Sequence, residues 1–251
     1  MVLREAGDAV VAVGQASHAW LSGQLARAWG NDAFPRPEPY EPVCLAAEQH
    51  DIGWIDWDRA PELNPDTGLP RPFFELPRVQ HLALWTEAPR RLLSQSRWAA
   101  LLVSLHGTGL LDRFPPRNPD PETQRAVAEY RADQSLLQER LAAAVGATEE
   151  QMRRNQALIA AWDDMSLSLC QAQPRPIRGV PSADGPVDIL LADRGDHHTL
   201  EPWPLASDEL TVRCEGVRLE GRFEDEAALH AALREGPTVT LTFTLRRPDA
   251  L

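Results

Sequence analysis

The stretch Glu48–Asp58 reads EQHDIGWIDWD. Its histidine and aspartate, His50 and Asp51, lie at the end of a helix predicted over 43–51, and Gly53 follows them closely. Imidazole and carboxylate are side chains that bind divalent metals such as Zn, Fe, Mn and Ni. A glycine directly after the pair lets the chain turn close to such a site. The stretch therefore predicts a metal centre inside a bundle of helices.

Further candidate ligands lie on both sides of this pair, each histidine in a separate segment predicted to be helical. They are His18, His81, His106 and Asp163. We choose Asp163 over its neighbour Asp164 because Asp163 shares a helical face with apolar residues, whereas the face of Asp164 is more polar. Helices that each contribute one or two inward ligands can build such a site. The set predicts one or two divalent ions, with Fe, Mn, Ni, Zn and Mg as candidates.

Two acids in the opening stretch are candidate catalytic residues. Asp51 can bridge two metals while His50 binds one of them. Glu48 lies two residues before His50 and could act as an acid or a base. A satisfied core or surface histidine is the alternative interpretation for any single imidazole.

Composition limits the partners. The chain of 251 residues has a net charge of −12, which argues against a nucleic-acid surface. All 25 basic residues are arginine, so any phosphate clamp must be built from guanidinium groups. The three cysteines are widely spaced and no long apolar run is present, which predicts a cytoplasmic protein without a membrane partner. We expect a small-molecule substrate; the oligomeric state stays open, a homodimer included.

Hydrophobic periodicity and turn residues predict a mainly α protein. Residues 1–174 are expected to form a helical metal-binding domain that opens with a β-hairpin at 1–14, and residues 175–251 a small α+β part that the hairpin joins. Proline-rich segments at 31–42 and 56–77 are predicted loops. The predicted helices are 18–29, 43–51, 78–95, 97–106, 122–145, 148–172 and 225–234. The predicted C-terminal strands are 187–192, 210–213, 217–223 and 239–246.

The order of the candidate ligands resembles that of the HD-domain superfamily, whose helical core carries a His…His-Asp…Asp set. The two histidines between the pair and the last aspartate resemble its binuclear branch, and HDIGW at 50–54 is similar to the HDxGK phrase of that branch. Longer stretches of the sequence are similar to an uncharacterised bacterial family of unknown function, number 3891. The phrases that carry this similarity are QASHAWLSGQLARAW, EQHDIGWIDWD, LLVSLHGTGL and WDDMSLSLC.

The HD-domain resemblance implies an HD-like helical bundle in which Asp51 bridges two metals and the other candidates are terminal ligands. It also implies a metal-dependent phosphohydrolase, or, in a smaller branch, a di-iron oxygenase. This sequence departs from the phrase at one point, because Trp54 stands where a phosphate-binding lysine is often found. The arginines that could replace that lysine are Arg59, Arg71, Arg78, Arg90, Arg91 and Arg113, with surface solvation as the alternative for each.

We therefore predict an enzyme that hydrolyses a small phosphorylated or nucleotide-like substrate at a mononuclear or dinuclear His/Asp site. The first alternative is a di-iron oxygenase acting on a small polar molecule. The second is a non-enzymatic binding or sensor module that the metal stabilises.

Overall fold

Residues 1–248, which the computed structural model describes, form helices in the middle of the chain and strands mainly towards its two ends. The helices are α1 (Gln15–Ala28), α2 (Tyr40–Gln49), α3 (Ile55–Arg59), α4 (Arg78–Leu92), α5 (Arg97–Arg113), α6 (Pro121–Val145), α7 (Glu149–Gln171) and α8 (Glu226–Glu235). The strands are β1 (Val2–Ala6), β2 (Ala9–Val13), β3 (Leu63–Asn64), β4 (Leu69–Pro70), β5 (Pro176–Ser182), β6 (Gly185–Asp193), β7 (His198–Glu201), β8 (Glu209–Glu220) and β9 (Thr238–Arg246). Within this range no helix combines the length and apolar character needed to cross a bilayer.

Seven of these strands form one sheet in the order β1-β2-β8-β9-β7-β6-β5. The sheet curls into a half-barrel. The N-terminal hairpin joins the C-terminal strands, as expected, because β2 pairs antiparallel with β8. The prediction of a mainly α, HD-like helical bundle is nevertheless wrong. The protein is mixed α and β, with a sheet too large to be an appendage of a bundle.

The sheet was underestimated because two of its strands carry poor strand signals. β5 contains Pro176, Pro181 and Gly179, which argue against a strand in local sequence. It lies at the edge of the sheet, where proline is tolerated, and its register with β6 shifts between Ile177 and Val180. The short strand β7 lies in a segment for which no strand was predicted, and β8 runs unbroken where two strands were predicted.

Helices and sheet share one apolar core. α1 contacts α2, α7 and β8, and α5 contacts α2, α4, α6 and α7. The rings of Trp29 and Trp162 are fully buried and meet edge to face at 5.6 Å between centroids. The same cluster of buried side chains continues into the sheet through Val11 and Cys214. The predicted division between residues 174 and 175 stays a prediction.

Several predicted boundaries move. α1 and α2 each begin three residues earlier than expected. α5 continues to Arg113, although the helix predicted here ended at residue 106. A Cβ at Gly107 would overlap the Tyr130 hydroxyl, so this glycine lets α6 approach α5 closely. The predicted loop 56–77 contains most of α3, the β3–β4 pair and a 3₁₀ turn at Phe73–Glu75.

Candidate metal centre

Four helices bring the candidate ligands together. His18 lies on α1, His50 directly follows α2, His106 lies on α5 and Asp163 lies on α7. Each of these residues is more than nine-tenths buried. α1 and α5 both contact α2 and α7, so side chains on their inner faces meet at one place. The structure therefore brings together residues that are distant in sequence. His18 and Asp163, for example, are 145 positions apart.

The centre of the cluster is a group of three donors. His18, His50 and Asp163 each offer an atom that lies within 4.8 Å of the other two. The Nε2 of His50 is 3.4 Å from the Oδ1 of Asp163, and the Nδ1 of His18 is 3.9 Å from the same oxygen. Two donors that each lie about 2.1 Å from a shared ion are separated by about 3–3.5 Å. The distance from His50 to Asp163 lies in this range and the distance from His18 to Asp163 is somewhat longer, so the group could hold a metal ion.

Two further predicted ligands border this group. The Oδ2 of Asp51 is 3.0 Å from the Nε2 of His18 and 3.7 Å from the Nε2 of His50. The Nε2 of His106 is 3.5 Å from the Oδ2 of Asp163. Five of the six predicted ligands thus form one continuous cluster of imidazoles and carboxylates.

Unpartnered nitrogens provide an independent test of whether a metal fits. The Nε2 atoms of His50 and His106 are buried and have no hydrogen-bond partner among the described residues. An unmet buried polar group costs about 1–3 kcal/mol. The Nδ1 of His50 must donate to the Ala47 carbonyl oxygen, 2.9 Å away, so in the neutral ring Nε2 carries a lone pair directed at the cluster. The Nε2 of His50 belongs to the group of three donors, and a divalent cation there would satisfy it, so the residues present fit such an ion.

Serine hydroxyls form a hydrogen-bond network with the Nδ1 of His18. This nitrogen lies 3.0 Å from the Oγ of Ser166, which donates to the Asp163 carbonyl oxygen and accepts from Ser22. This network ties α1 to α7 at the cluster. It fixes the orientation of the imidazole in the way that outer-shell partners orient metal-binding histidines.

Charges within the cluster shift its pKa values strongly. Burial opposes the charged form of His50, but the carboxylates Asp51 and Asp163 outweigh it and raise the pKa to about 9. Burial alone would raise the pKa of Asp163, whereas the neighbouring imidazoles hold it well below its usual range. Burial, aided by His50, lowers the pKa of His106 to about 4, so this ring is neutral at pH 7. Neutral imidazole is the form that binds metals. His106 is in that form at pH 7, whereas His50 would release a proton when it binds an ion.

The structure separates Asp163 from its neighbour. Asp163 faces the three imidazoles, whereas the Oδ2 of Asp164 accepts from Arg113 at 2.7 Å. The choice of Asp163 from helical periodicity agrees with this geometry, because one residue along a helix rotates the side chain by about 100°.

His81 and Glu48 lie apart from the cluster. The His81 ring is packed between Trp54 and Trp85, at 5.3 and 5.4 Å between centroids. Burial and the nearby Arg78 lower its pKa to about 4. His81 lines the same cavity as the cluster but does not belong to the group of three donors, so its role as a ligand stays a prediction. The carboxylate of Glu48 is 2.5 Å from Arg27, on the α1 side of α2, and is not among the groups that line the cavity.

The cluster lies at the wall of a cavity of about 620 Å³, large enough for a small organic molecule. His18, Asp51, His106 and Asp163 all contribute to its lining. Seven of the other fifteen lining side chains are aromatic or aliphatic. These are Trp54, Phe73, Phe74, Trp85, Leu110, Phe114 and Leu167.

Comparison with known proteins identifies the family. The family model described as a protein of unknown function, DUF3891, matches residues 1–221. The chain belongs to this family. Neither the comparison with curated proteins nor the comparison with solved structures gave a match. The resemblance to the HD-domain superfamily therefore has no support from these comparisons, whereas the resemblance to the family of unknown function is confirmed. All the candidate ligands of this DUF3891 protein lie inside the matched region.

The DUF3891 cavity also has lining residues that the sequence reasoning missed. Gln15 is buried, and its Nε2 lies 3.4 Å from the Oδ2 of Asp51, while its Oε1 has no partner among the described residues. It lies three positions before His18, on the same face of α1, and this spacing could have identified it. Arg175 lies just after α7 and gives no local signal, because only the packing brings it to the cavity.

Outside the metal cluster, the cavity of this DUF3891 protein is lined by one acid, Asp164, and by three arginines. They are Arg78, Arg113 and Arg175. Arg113 lies 2.7 Å and Arg175 lies 3.7 Å from Asp164. Three positive side chains therefore face one negative side chain outside the metal cluster. This part of the cavity is suited to an anionic group.

Proposed function

We propose that this DUF3891 protein is a metal-dependent hydrolase that acts on a small phosphorylated molecule. The observation that carries the proposal is the buried cluster of imidazoles and carboxylates, with unpartnered nitrogens on His50 and His106, at the wall of a cavity. The proposal rests on this arrangement and not on the HD-domain resemblance. We also propose a cytoplasmic location, because the cysteines are free thiols, which suits a reducing compartment.

Within this proposal, His18, His50 and Asp163 would hold the first ion, and Asp51 and His106 complete the surrounding donors. When bound, a divalent metal acts as a Lewis acid and generates a nucleophile from water near neutral pH. The chain itself contributes position and exclusion of water. The tryptophan walls limit solvent around the cluster, and hydrogen bonds behind the imidazoles fix their orientation.

The charge of the cavity supports a phosphoryl group as the reacting part of the substrate. Arg78, Arg113 and Arg175 carry three positive charges, against three negative charges on Asp51, Asp163 and Asp164. A bound divalent ion would offset Asp51 and Asp163 and so leave two positive charges in excess. A phosphate monoester carries a charge of about −1.5 to −2 at pH 7. Guanidinium groups bind phosphate with paired hydrogen bonds, and this chain has no lysine that could do so instead.

A second candidate function is oxidation of a small polar molecule at two irons. The observation that favours it is the histidine-rich cavity, where His81 adds a fourth imidazole beside tryptophan walls. Imidazole suits iron as well as zinc or nickel, so the ligand set alone does not choose between hydrolysis and oxidation.

Metal analysis and turnover separate these functions. The protein is purified without a tag, its metals are measured, and metal-free protein is reloaded with Mg, Mn, Ni, Zn or, without oxygen, Fe(II). Hydrolysis predicts phosphate release from a chromogenic phosphomonoester or from nucleotides, lost on chelation and absent in His50→Ala. Two irons per chain with oxygen consumption and no phosphate release would favour oxidation. Failure to bind any metal would leave a binding module and overturn the proposal.

A further inference from the structure

We propose that Arg78 is the residue that binds the phosphoryl group of the substrate, an inference that rests on the proposed function for the identity of that group. It would be a specificity-determining residue of the cavity. Arg113 and Arg175, which both lie near Asp164, would support it.

Arg78 is positioned at the edge of the cavity by helix geometry. It is the first residue of α4 and lies three positions before His81, so both side chains are on the same face of the helix. Both line the cavity that contains the metal cluster. Arg78 is half-buried, and burial lowers the pKa of its guanidinium, which still remains charged in proteins. A positive charge is thus held where water is partly excluded.

The guanidinium of Arg78 is fixed without being neutralised. One of its terminal nitrogens donates to the Phe114 carbonyl oxygen at 2.9 Å, and its Cζ lies 5.6 Å from the centre of the Trp85 ring. No carboxylate of residues 1–248 lies within ion-pair distance of it. A guanidinium has five N–H donors, so one carbonyl bond leaves most of them free for an anion. The side chain is therefore oriented before any ligand arrives.

The other two cavity arginines differ in this respect. One terminal nitrogen of Arg113 donates to Asp164, which also lies 3.7 Å from Arg175. Arg113 lies with its Cζ 5.1 Å from the centre of the Phe114 ring, the residue whose carbonyl holds Arg78. An anion in this cavity would gain most from Arg78, because an arginine already paired with a carboxylate contributes less to a new ion pair.

The test measures binding of inorganic phosphate by calorimetry to wild-type protein, Arg78→Gln and a control variant, Arg90→Gln. Arg90 lies on the same helix, is exposed and pairs with Glu87, so its loss removes the same charge outside the cavity. Each protein is measured both metal-free and metal-loaded, with circular dichroism and metal content to verify the fold. We expect Arg78→Gln to weaken phosphate binding about 10- to 100-fold, from the strength of a hydrogen bond to a charged group. Arg90→Gln should stay within about twofold of wild type.

A second variant, Arg78→Lys, keeps the charge but loses the planar fork and should bind phosphate with intermediate affinity. The inference is overturned if wild-type protein does not bind phosphate, or if Arg78→Gln binds it as wild type does. Its failure can be distinguished from failure of the proposed function. Phosphate binding through Arg78 without any phosphoester turnover would contradict only the hydrolase, and turnover that Arg78→Gln leaves intact would contradict only the role of Arg78.

Discussion

Two neighbouring aspartates on α7 allow a matched test of the metal centre. Asp163→Asn and Asp164→Asn each remove one negative charge by the same isosteric change, one position apart. The first takes a carboxylate from among His18, His50 and His106, whereas the second affects the pair with Arg113. The cluster geometry predicts that only Asp163→Asn impairs metal binding.

The magnitude follows from the number of ligands. Structural metal sites with four protein ligands bind with about 10–16 kcal/mol, or about 3 kcal/mol per ligand, which corresponds to about 100-fold in affinity. With metal in excess, a 100-fold weaker site loses about 2.7 kcal/mol of metal-linked stability. For a chain of this size that loss lowers the midpoint of thermal unfolding by about 5–10 °C. Loss of the partly exposed Asp164 pair should cost about 1 kcal/mol or less.

The assay compares metal content after dialysis with thermal unfolding, both with and without added metal. Asp163→Asn should lose its metal and most of the metal-dependent rise in unfolding temperature, and Asp164→Asn should keep both. Full retention of metal by Asp163→Asn would refute the ligand assignment. An equal loss in Asp164→Asn would show that the periodicity argument fails to separate the two residues.

The remaining predictions concern the opening stretch of the sequence. His50→Ala and Asp51→Ala should each abolish metal retention, measured by elemental analysis, and full metal content in either variant would contradict its role as a ligand. Gly53→Ala should destabilise the fold by about 1–3 kcal/mol in urea titration, because a Cβ there would overlap the backbone carbonyl oxygen of Leu84 on α4. A neutral effect would mean that α4 moves away freely. Glu48→Gln should keep metal and turnover, and a large loss of turnover would restore Glu48 as a catalytic candidate.

The sequence alone identified the candidate donors but not every residue that lines the cavity. The face of Asp163 followed from helical periodicity, which is a local property that the backbone hydrogen-bonding pattern fixes. Gln15 could have been found by the same argument, since it lies three residues before His18. Arg175 could not have been found, because no local rule relates a residue after the end of α7 to a cavity between helices.

Sequence reasoning went wrong where strands depend on distant partners. β5 carries two prolines and would be unstable alone, but β6 pairs with it at the sheet edge. β2 pairs with β8 about 200 residues away, so the local sequence of either strand does not indicate which strand completes its hydrogen bonds. The sheet is therefore a property of the assembled chain, and a count of local strand signals underestimates it.

For this protein the sequence determined which helical faces carry imidazoles and carboxylates. The reason is that the helix repeat places side chains three or four positions apart on the same face. The tertiary structure decided which of those side chains meet. It gathered His18, His50 and Asp163 into one group, placed His81 between two tryptophans and paired Glu48 with Arg27. The physical reason is that contacts between distant segments depend on how whole helices pack against each other and against the sheet, and this packing minimises exposed apolar area over the entire chain.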